Sequence, residues 1–319
     1  MTTTDAILRG AVSRVGADVT LTLDPAFQGL PDTAHGGSVL AAFDALAALD
    51  GPRVVAGHYH KRVPLATPLA LRVSRGRDRV TCRLLDADGT MLVHGYVSAG
   101  AVIAADESRA RGGVGGVAEK SVGPTVVEGD THELERAHGL LADFSATPPT
   151  PPRDAFALPV SRTCFACGVE NRLGLRVQLM ADDHTVGGTW TPRAEFAADG
   201  GTLAPVALTT LLDEAAFWLG ALATGESGMT TELAVTLHRH VRADAPVTIV
   251  GARGAVRQRA DDARYWETRV EARDAGGALI ASAVITFVAV RGAARRLATG
   301  LLAMNPPDLL RRVFPAYVR

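Results

Sequence analysis

Residues 35–44 read HGGSVLAAFD, and residues 204–213 read APVALTTLLD. In both stretches an apolar segment follows a loop that contains glycine, and it carries a single aspartate, Asp44 in the first and Asp213 in the second. Apolar residues on nearly all sides of such a segment predict a helix that is buried over most of its surface. The matching order indicates that the chain contains two copies of one unit.

The two copies stay aligned further along the chain. Both continue with a basic, proline-containing entry to a strand and then with a turn rich in aspartate and glycine; these blocks are residues 61–71 and 239–249, and residues 85–92 and 273–280. Apolar residues alternate with others in residues 69–73 and 265–272, which predicts half-buried strands. Each copy is therefore predicted to be an α+β unit in which an antiparallel sheet wraps around one long buried helix.

A duplicated domain accounts for most of the chain. We place the N-terminal unit at residues 1–105 and the C-terminal unit at residues 159–290. Between them, residues 106–158 begin rich in glycine and end rich in proline, which predicts a linker, and residues 131–144 within it could form a short helix. Residues 291–319 form a basic tail, predicted to be a packed or interface helix with a solvated charged face.

Composition narrows the classes of protein. The 319-residue chain has 33 Lys and Arg against 34 Asp and Glu, and the net charge of -1 argues against a nucleic-acid-binding protein. Its three cysteines are too few and too sparse for a disulfide framework. The N-terminus lacks the apolar stretch of a secretory signal, and no run of roughly 18 apolar residues predicts a membrane span. We therefore expect a soluble cytoplasmic protein without membrane or nucleic-acid partners.

Two motifs resemble those of a known family. The HGG sequence at residues 35–37, with Asp44 nine positions after its histidine and on a buried helix before several long strands, resembles the hotdog-fold acyl-CoA thioesterases of the phenylacetate-pathway type. Residues 164–168, CFACG, followed by NRLGL at residues 171–175, are similar to an entry segment of that group. The resemblance covers both copies and implies a tandem double-hotdog protein, in which two units pair within one polypeptide. It also implies an acyl-CoA substrate, with neither a cofactor nor a metal ion.

The residues at the start of the first helix suit the hydrolysis of a thioester. Hydrolysis turns the thioester carbonyl into an oxyanion, which backbone N–H groups at a helix N-terminus can stabilise. Gly36 and Gly37 let a substrate approach closely, so their N–H groups are the candidate oxyanion hole, and His35 either orders this turn or joins the chemistry. A carboxylate must also attack the carbonyl or activate water, and burying Asp44 and Asp213 in apolar helices is costly without a function.

The family implies that each site takes its glycine amide from one unit and its carboxylate from the other. Gly36 or Gly37 would then work with Asp213, whereas Asp44 would work with the loop at residues 204–206. That loop reads APV instead of HGG, and its proline has no N–H to donate. We therefore expect one competent site and one degenerate site.

Other polar residues have less defined roles. Thr230 or Thr231 lies near the position where related enzymes carry a hydroxyl that orients the water or the carboxylate. Basic residues before strands either meet the phosphates of coenzyme A or protect a solvated strand edge; they are Lys61, Arg62, Arg239, His240 and Arg242. Cys164 and Cys167 have no second cysteine pair, and His184 as nearest histidine would leave a zinc site incomplete. We expect the two cysteines to pack, and no metal ion.

Three functions fit these residues. The first is an acyl-CoA thioesterase in which Asp213 is the nucleophile or the general base. The second is a non-catalytic acyl-CoA-binding or lipid-binding hotdog protein, which the APV loop favours because one copy has lost the motif. The third, ranked last, is a hotdog dehydratase or hydratase, since neither copy contains the closely spaced His and Asp pair of such enzymes. The acyl chain and its carrier stay open, and the double unit could associate further into a homo-oligomer.

Overall fold

A computed structural model describes residues 2–16, 18–100 and 155–318 of the chain. The predicted linker helix at residues 131–144 lies outside the described residues. The helices are α1 (Thr4–Gly10), α2 (Gly36–Ala47), α3 (Pro205–Thr224), α4 (Ala293–Leu301) and α5 (Pro307–Val313). The strands are β1 (Val12–Val15), β2 (Asp18–Leu21), β3 (Arg53–Tyr59), β4 (Leu69–Arg75), β5 (Arg79–Leu85), β6 (Met91–Ala99), β7 (Phe156–Ala157), β8 (Met180–Ala181), β9 (Thr185–Trp190), β10 (Gly228–Leu237), β11 (Val247–Ala252), β12 (Arg257–Gln258), β13 (Tyr265–Arg273) and β14 (Leu279–Ala289).

The described strands form one antiparallel sheet. Its order is β1-β2-β4-β5-β6-β3-β10-β14-β13-β11-β9-β8-β7, and β12 lies beside β13. Strands β3 and β10 pair at the centre, where Val55 lies opposite Val235. On either side of this pair the same succession appears: helix α2 precedes β3, β4, β5 and β6, and helix α3 precedes β10, β11, β13 and β14, with the last strand of each set next to the first. The order of strands thus mirrors the repeat in the sequence.

Helices α2 and α3 fill the core of the two halves. Residues 37–44 of α2 and residues 206–216 of α3 are buried without interruption, as their apolar composition predicts. Helix α3 is long and apolar enough to cross a membrane, but 83% of its most apolar window is buried inside the protein. It ends at Gly225, whose φ of 67° places it in the left-handed conformation that favours glycine after a helix.

The two helices touch where α2 begins. A Cβ built on Gly37 would lie 2.5 Å from the carbonyl oxygen of Thr209, so only glycine lets the two backbones approach this closely. The Thr209 hydroxyl, in turn, donates a hydrogen bond of 2.8 Å to the Gly37 carbonyl oxygen. The first turn of α2 is therefore fixed against α3, which belongs to the other half.

The basic tail packs back on the molecule. It forms α4 and α5, and Leu310 and Phe314 are buried at its end. The Asn305 side chain, between the two helices, bonds to the backbone N–H and carbonyl oxygen of Val160. The tail is thus held against the segment that precedes the Cys164 motif.

Replacing Gly37 with alanine should lower the free energy of unfolding by about 1–3 kcal/mol, because an added methyl group in a packed contact forces the helices apart. Gly10→Ala is the matched control, since no atom lies within 4 Å of a Cβ at Gly10. Chemical denaturation followed by circular dichroism measures both variants. Equal stability of Gly37→Ala and the wild type would show that the two helices do not need this close approach.

Candidate active site

A cavity of about 500 Å³ opens where the two halves meet. Its walls are the loop before α2 with the first residue of that helix, the end of β3 and the segment after it, the middle of α3, and the start of β10. The predicted site residues that line it come from both copies: His35, Gly36, Lys61, Arg62, Asp213 and Thr230. The structure therefore gathers residues that are far apart in the sequence around one cavity.

The Asp213 carboxylate is buried in the cavity wall and has three polar partners. Oδ2 accepts a hydrogen bond from the Gly37 N–H at 3.0 Å and lies 3.1 Å from His35 Nδ1. Oδ1 accepts a hydrogen bond from the Thr230 hydroxyl at 2.7 Å. Burial alone would raise the pKa of Asp213, but these partners outweigh burial and hold it below its ordinary value. The group is a fixed carboxylate that can accept a proton or attack a carbonyl carbon.

His35 precedes α2 and joins it to α3. Its Nδ1 faces Asp213, and its Nε2 lies 3.6 Å from Glu214 Oε2. Burial lowers the pKa of His35, but the two carboxylates raise it well above its ordinary value. The Nδ1–H then donates to Asp213, so that the nearby Gly37 N–H has the Asp213 carboxylate as its acceptor. His35 thus both orders the turn and belongs to the cavity wall.

The two glycines differ in what their backbone groups can do. The Gly37 N–H is engaged by Asp213, and Gly37 does not line the cavity. Gly36 lines the cavity, and as the first residue of α2 it has an N–H without an acceptor inside the helix. Its carbonyl oxygen accepts a hydrogen bond from the Tyr59 hydroxyl at 2.7 Å, which fixes the orientation of the peptide. A Cβ at Gly36 would lie 2.7 Å from Asp213 Oδ2, so a side chain there would displace the carboxylate.

Asp44 is placed elsewhere. Its buried carboxylate accepts two hydrogen bonds from Arg53, from Nε at 2.5 Å and from Nη2 at 2.8 Å. In the predicted second site, Asp44 would work with the N-terminus of α3. That helix begins with Pro205 and has no side-chain cap. The structure thus does not bring Asp44 together with the other predicted site residues.

Two of the five basic residues of the prediction line the cavity, and His240 is among the three that do not. Lys61 and Arg62 line the cavity, at the start of the segment that follows β3. Arg239 and Arg242 lie outside it, and each forms an ion pair with an aspartate from its own copy. Only Lys61 and Arg62 are in a position to meet a ligand in this cavity.

Three lining residues carry chemistry that the sequence analysis does not assign. Glu214, beside Asp213 on α3, is buried and accepts a hydrogen bond from Trp218 Nε1 at 2.9 Å. Cys164 and Cys167 are buried in the same wall. A second carboxylate in an apolar helix is a signal that could have identified Glu214, but no spacing in the sequence connects it to the cysteines.

No family model and no curated protein matches this chain, whereas solved structures do. A candidate thioesterase II from Thermobifida fusca is 18% identical, with 91% of this chain and 98% of that chain covered and a TM-score of 0.54. A hotdog-fold protein of unknown function from Alicyclobacillus acidocaldarius is 13% identical, with 88% and 96% covered and a TM-score of 0.53. A TesB protein from Mycobacterium avium subspecies paratuberculosis is 12% identical, with 89% and 97% covered and a TM-score of 0.54. At these identities the likeness shows the fold, and the predicted α+β hotdog fold is confirmed.

Asp44→Asn should destabilise the protein by about 3–5 kcal/mol, because it leaves the buried Arg53 guanidinium without its counter-charge. The measurement is the free energy of unfolding from chemical denaturation. Asp244→Asn is the control, since that carboxylate pairs with Arg242 in full contact with solvent and its loss should leave stability unchanged. If Asp44→Asn is as stable as the wild type, the ion pair is not a structural element.

Proposed function

We propose that this chain is an acyl-CoA thioesterase, which hydrolyses an acyl thioester to an acid and a free thiol. The observation that carries the proposal is the Asp213 carboxylate, held ionised in a cavity at the N-terminus of a helix from the other half. The mirrored strand order supports two tandem hotdog units, residues 1–105 and 159–290, paired as a double hotdog. Residues 106–158 would be their linker, and residues 291–319 a basic tail.

In the proposed reaction Asp213 acts on the thioester carbonyl carbon. As general base it takes a proton from water, whose oxygen attacks the carbonyl; the tetrahedral intermediate then expels the thiolate, which takes the proton back. As nucleophile it would attack directly and expel the thiolate to form an anhydride; water would then hydrolyse the anhydride to the acid and Asp213, and release the proton that the thiolate takes up. Three partners keep the carboxylate in one orientation, which favours either role because a carboxylate retains further lone pairs for a water or a substrate.

The carbonyl oxygen of the substrate would bind at the start of α2. The Gly36 N–H is at the positive end of the helix dipole, and Gly36 lines the cavity, so this N–H suits an oxyanion. The Gly37 N–H is already a donor to Asp213, which narrows the oxyanion hole of the sequence analysis to one backbone amide. The role of Gly37 is then to position the carboxylate rather than the substrate.

The asymmetry of the two copies supports one competent site and one degenerate site. At the position of Asp213, the first copy carries Asp44, whose carboxylate accepts two hydrogen bonds from Arg53. At the position of Gly36, the second copy carries Pro205, which has no N–H. The second site would lack both the free carboxylate and the amide.

The cavity has an apolar part and a basic part, and an acyl-CoA would contact both. Phe217, Trp218 and Leu301 give an apolar surface for an acyl chain. Lys61 and Arg62 give positive charge for the phosphates of coenzyme A. This division fits an acyl-CoA substrate. A cytoplasmic location without nucleic-acid or membrane partners, and further association into a homo-oligomer, stay predictions.

A dehydratase or hydratase is the second candidate, and one observation favours it. The sequence analysis ranks it last because neither copy has a His and Asp pair, yet the structure pairs His35 with Asp213 from different copies at 3.1 Å. Such a pair could remove a proton and return it to a hydroxyl of a 3-hydroxyacyl thioester. A panel of saturated and 3-hydroxyacyl thioesters separates the two activities, because only hydrolysis releases a thiol.

Asp213→Asn should lower kcat for thioester hydrolysis by about 10²–10⁴-fold, since it removes the proton acceptor or nucleophile without changing the shape of the side chain. Thr230→Val should lower kcat by about tenfold through loss of one hydrogen bond to the carboxylate. Free thiol release from a panel of short, medium, long and aromatic acyl-CoAs measures both.

Asp44→Asn is the control for these variants, and it should retain kcat under conditions in which it is folded. A larger loss of kcat in Asp44→Asn than in Asp213→Asn would contradict the assignment. Saturable binding of acyl-CoA without turnover on any chain would favour the non-catalytic binding protein instead.

Lys61→Ala and Arg62→Ala should each raise KM for acyl-CoA by about tenfold, with kcat little changed, because each removes a charge-assisted contact to phosphate. KM for the same acyl group on N-acetylcysteamine, which has no phosphate, should not change. Arg239→Ala is the matched control and should leave both values unchanged. Equal effects on the two substrates would mean that Lys61 and Arg62 do not bind the nucleotide.

A further inference from the structure

One wall of the cavity holds four buried side chains of the types that bind transition metals. His35, Cys164 and Glu214 each offer one ligand atom, and these atoms all lie within 4.8 Å of one another. Cys167 follows Cys164 by three positions and is buried in the same wall of the cavity. The four residues come from three separate segments: the loop before α2, the segment between β7 and β8, and the middle of α3.

The loop that carries the two cysteines has a conformation suited to paired metal-binding sulfurs. The Ala166 N–H donates a hydrogen bond to Cys164 Sγ at 3.3 Å, which favours a thiolate at that sulfur. The Gly168 N–H donates to the Cys164 carbonyl oxygen at 2.9 Å and closes the turn. A Cβ at Gly168 would lie 2.2 Å from that oxygen, so the turn requires glycine. The tight turn therefore keeps the two cysteines close together, and both line the cavity.

The histidine and the glutamate are oriented toward the same point by groups outside the cluster. His35 Nδ1 faces Asp213, which leaves Nε2 on the side of Glu214. A histidine whose second nitrogen is held by a carboxylate is the usual arrangement of a metal-binding imidazole. Trp218 Nε1 donates to Glu214 Oε1, so that Oε2 faces His35. These partners act as an outer shell around the cluster.

The charges in this wall also call for a cation. Asp213 and Glu214 are adjacent buried carboxylates that share one histidine. Among the described residues, no lysine or arginine forms an ion pair with Glu214. Buried charges are costly unless they are paired or coordinate a metal, and a divalent ion would compensate the carboxylate and the thiolates together.

We propose that His35, Cys164, Cys167 and Glu214 bind a zinc ion. Two thiolates, one imidazole and one carboxylate match the ligand types of zinc and exclude magnesium and calcium, which prefer oxygen ligands. Four protein ligands make this a closed site with a structural role, which ties the cysteine loop and α2 to α3. The ion would take the place of the proton on His35 Nε2 and leave Nδ1 to position Asp213. This proposal differs from the packing role that the sequence analysis expects for the two cysteines.

Zinc itself is the probe for this site. Full-length protein with reduced thiols is stripped with a chelator, incubated with Zn²⁺, desalted and analysed by mass spectrometry of its metal content. Wild type should retain about one zinc ion per chain, and Cys164→Ser, Cys167→Ser and Glu214→Gln should retain far less. Cys82→Ala and His184→Ala are the matched controls, because they remove the third cysteine and the histidine nearest in sequence to the pair; both should retain the ion.

Cobalt provides a readout that does not depend on the folding of the variants. Wild type loaded with Co²⁺ should show thiolate-to-cobalt charge-transfer absorption, which Cys82→Ala keeps. Wild type with reduced thiols that retains no zinc, or cysteine variants that retain as much as wild type, would overturn the proposal; reversible oxidation of Cys164 and Cys167 to a disulfide in a protein that binds no zinc would do so as well. None of these measurements uses thioester turnover, so their failure is distinct from failure of the proposed function.

Discussion

The hydrogen bond from the Gly37 N–H to Asp213 is the contact on which the rest of the site depends. It joins the start of one core helix to the middle of the other across 3.0 Å, and it requires the backbones to approach so closely that Gly37 cannot carry a side chain. The same approach brings His35 and Gly36 beside Asp213 and opens the cavity between the halves. Positioning of the carboxylate, access for a substrate and the contact between the copies thus share one cause.

The two halves have the same strand order but carry different groups at matching positions. The first copy supplies a helix start with a histidine and glycines, and the second supplies the carboxylate at the matching position of its own helix. The converse pair is Asp44 with the start of α3. There Pro205 has no N–H to donate, and Arg53 already binds the Asp44 carboxylate. Under the proposed function this asymmetry leaves one competent site, and the other half serves as a scaffold.

Much of this could be predicted from the sequence, because repeats and hydrophobic periodicity are local signals. The buried helices, the hairpins and the choice of Asp213 as a candidate residue follow from residues within one window. What the sequence could not show are contacts between distant segments. Glu214 lies near Cys164 because the cysteine loop packs against the segment before α2, where Phe165 contacts Phe27 with ring centroids 4.9 Å apart. Likewise, nothing in the sequence around Arg53 shows that it binds Asp44, because the folded sheet brings the two side chains together.

A structure of the protein with a ketone analogue of an acyl-CoA, in which a methylene group replaces the thioester sulfur, tests the central claim most directly. The account predicts that the ketone oxygen lies within hydrogen-bonding distance of the Gly36 N–H, that the carbonyl carbon faces Asp213, and that the phosphates lie near Lys61 and Arg62. An acyl carbonyl bound at the side of Asp44 and Pro205, or an analogue bound outside the cavity, would contradict it.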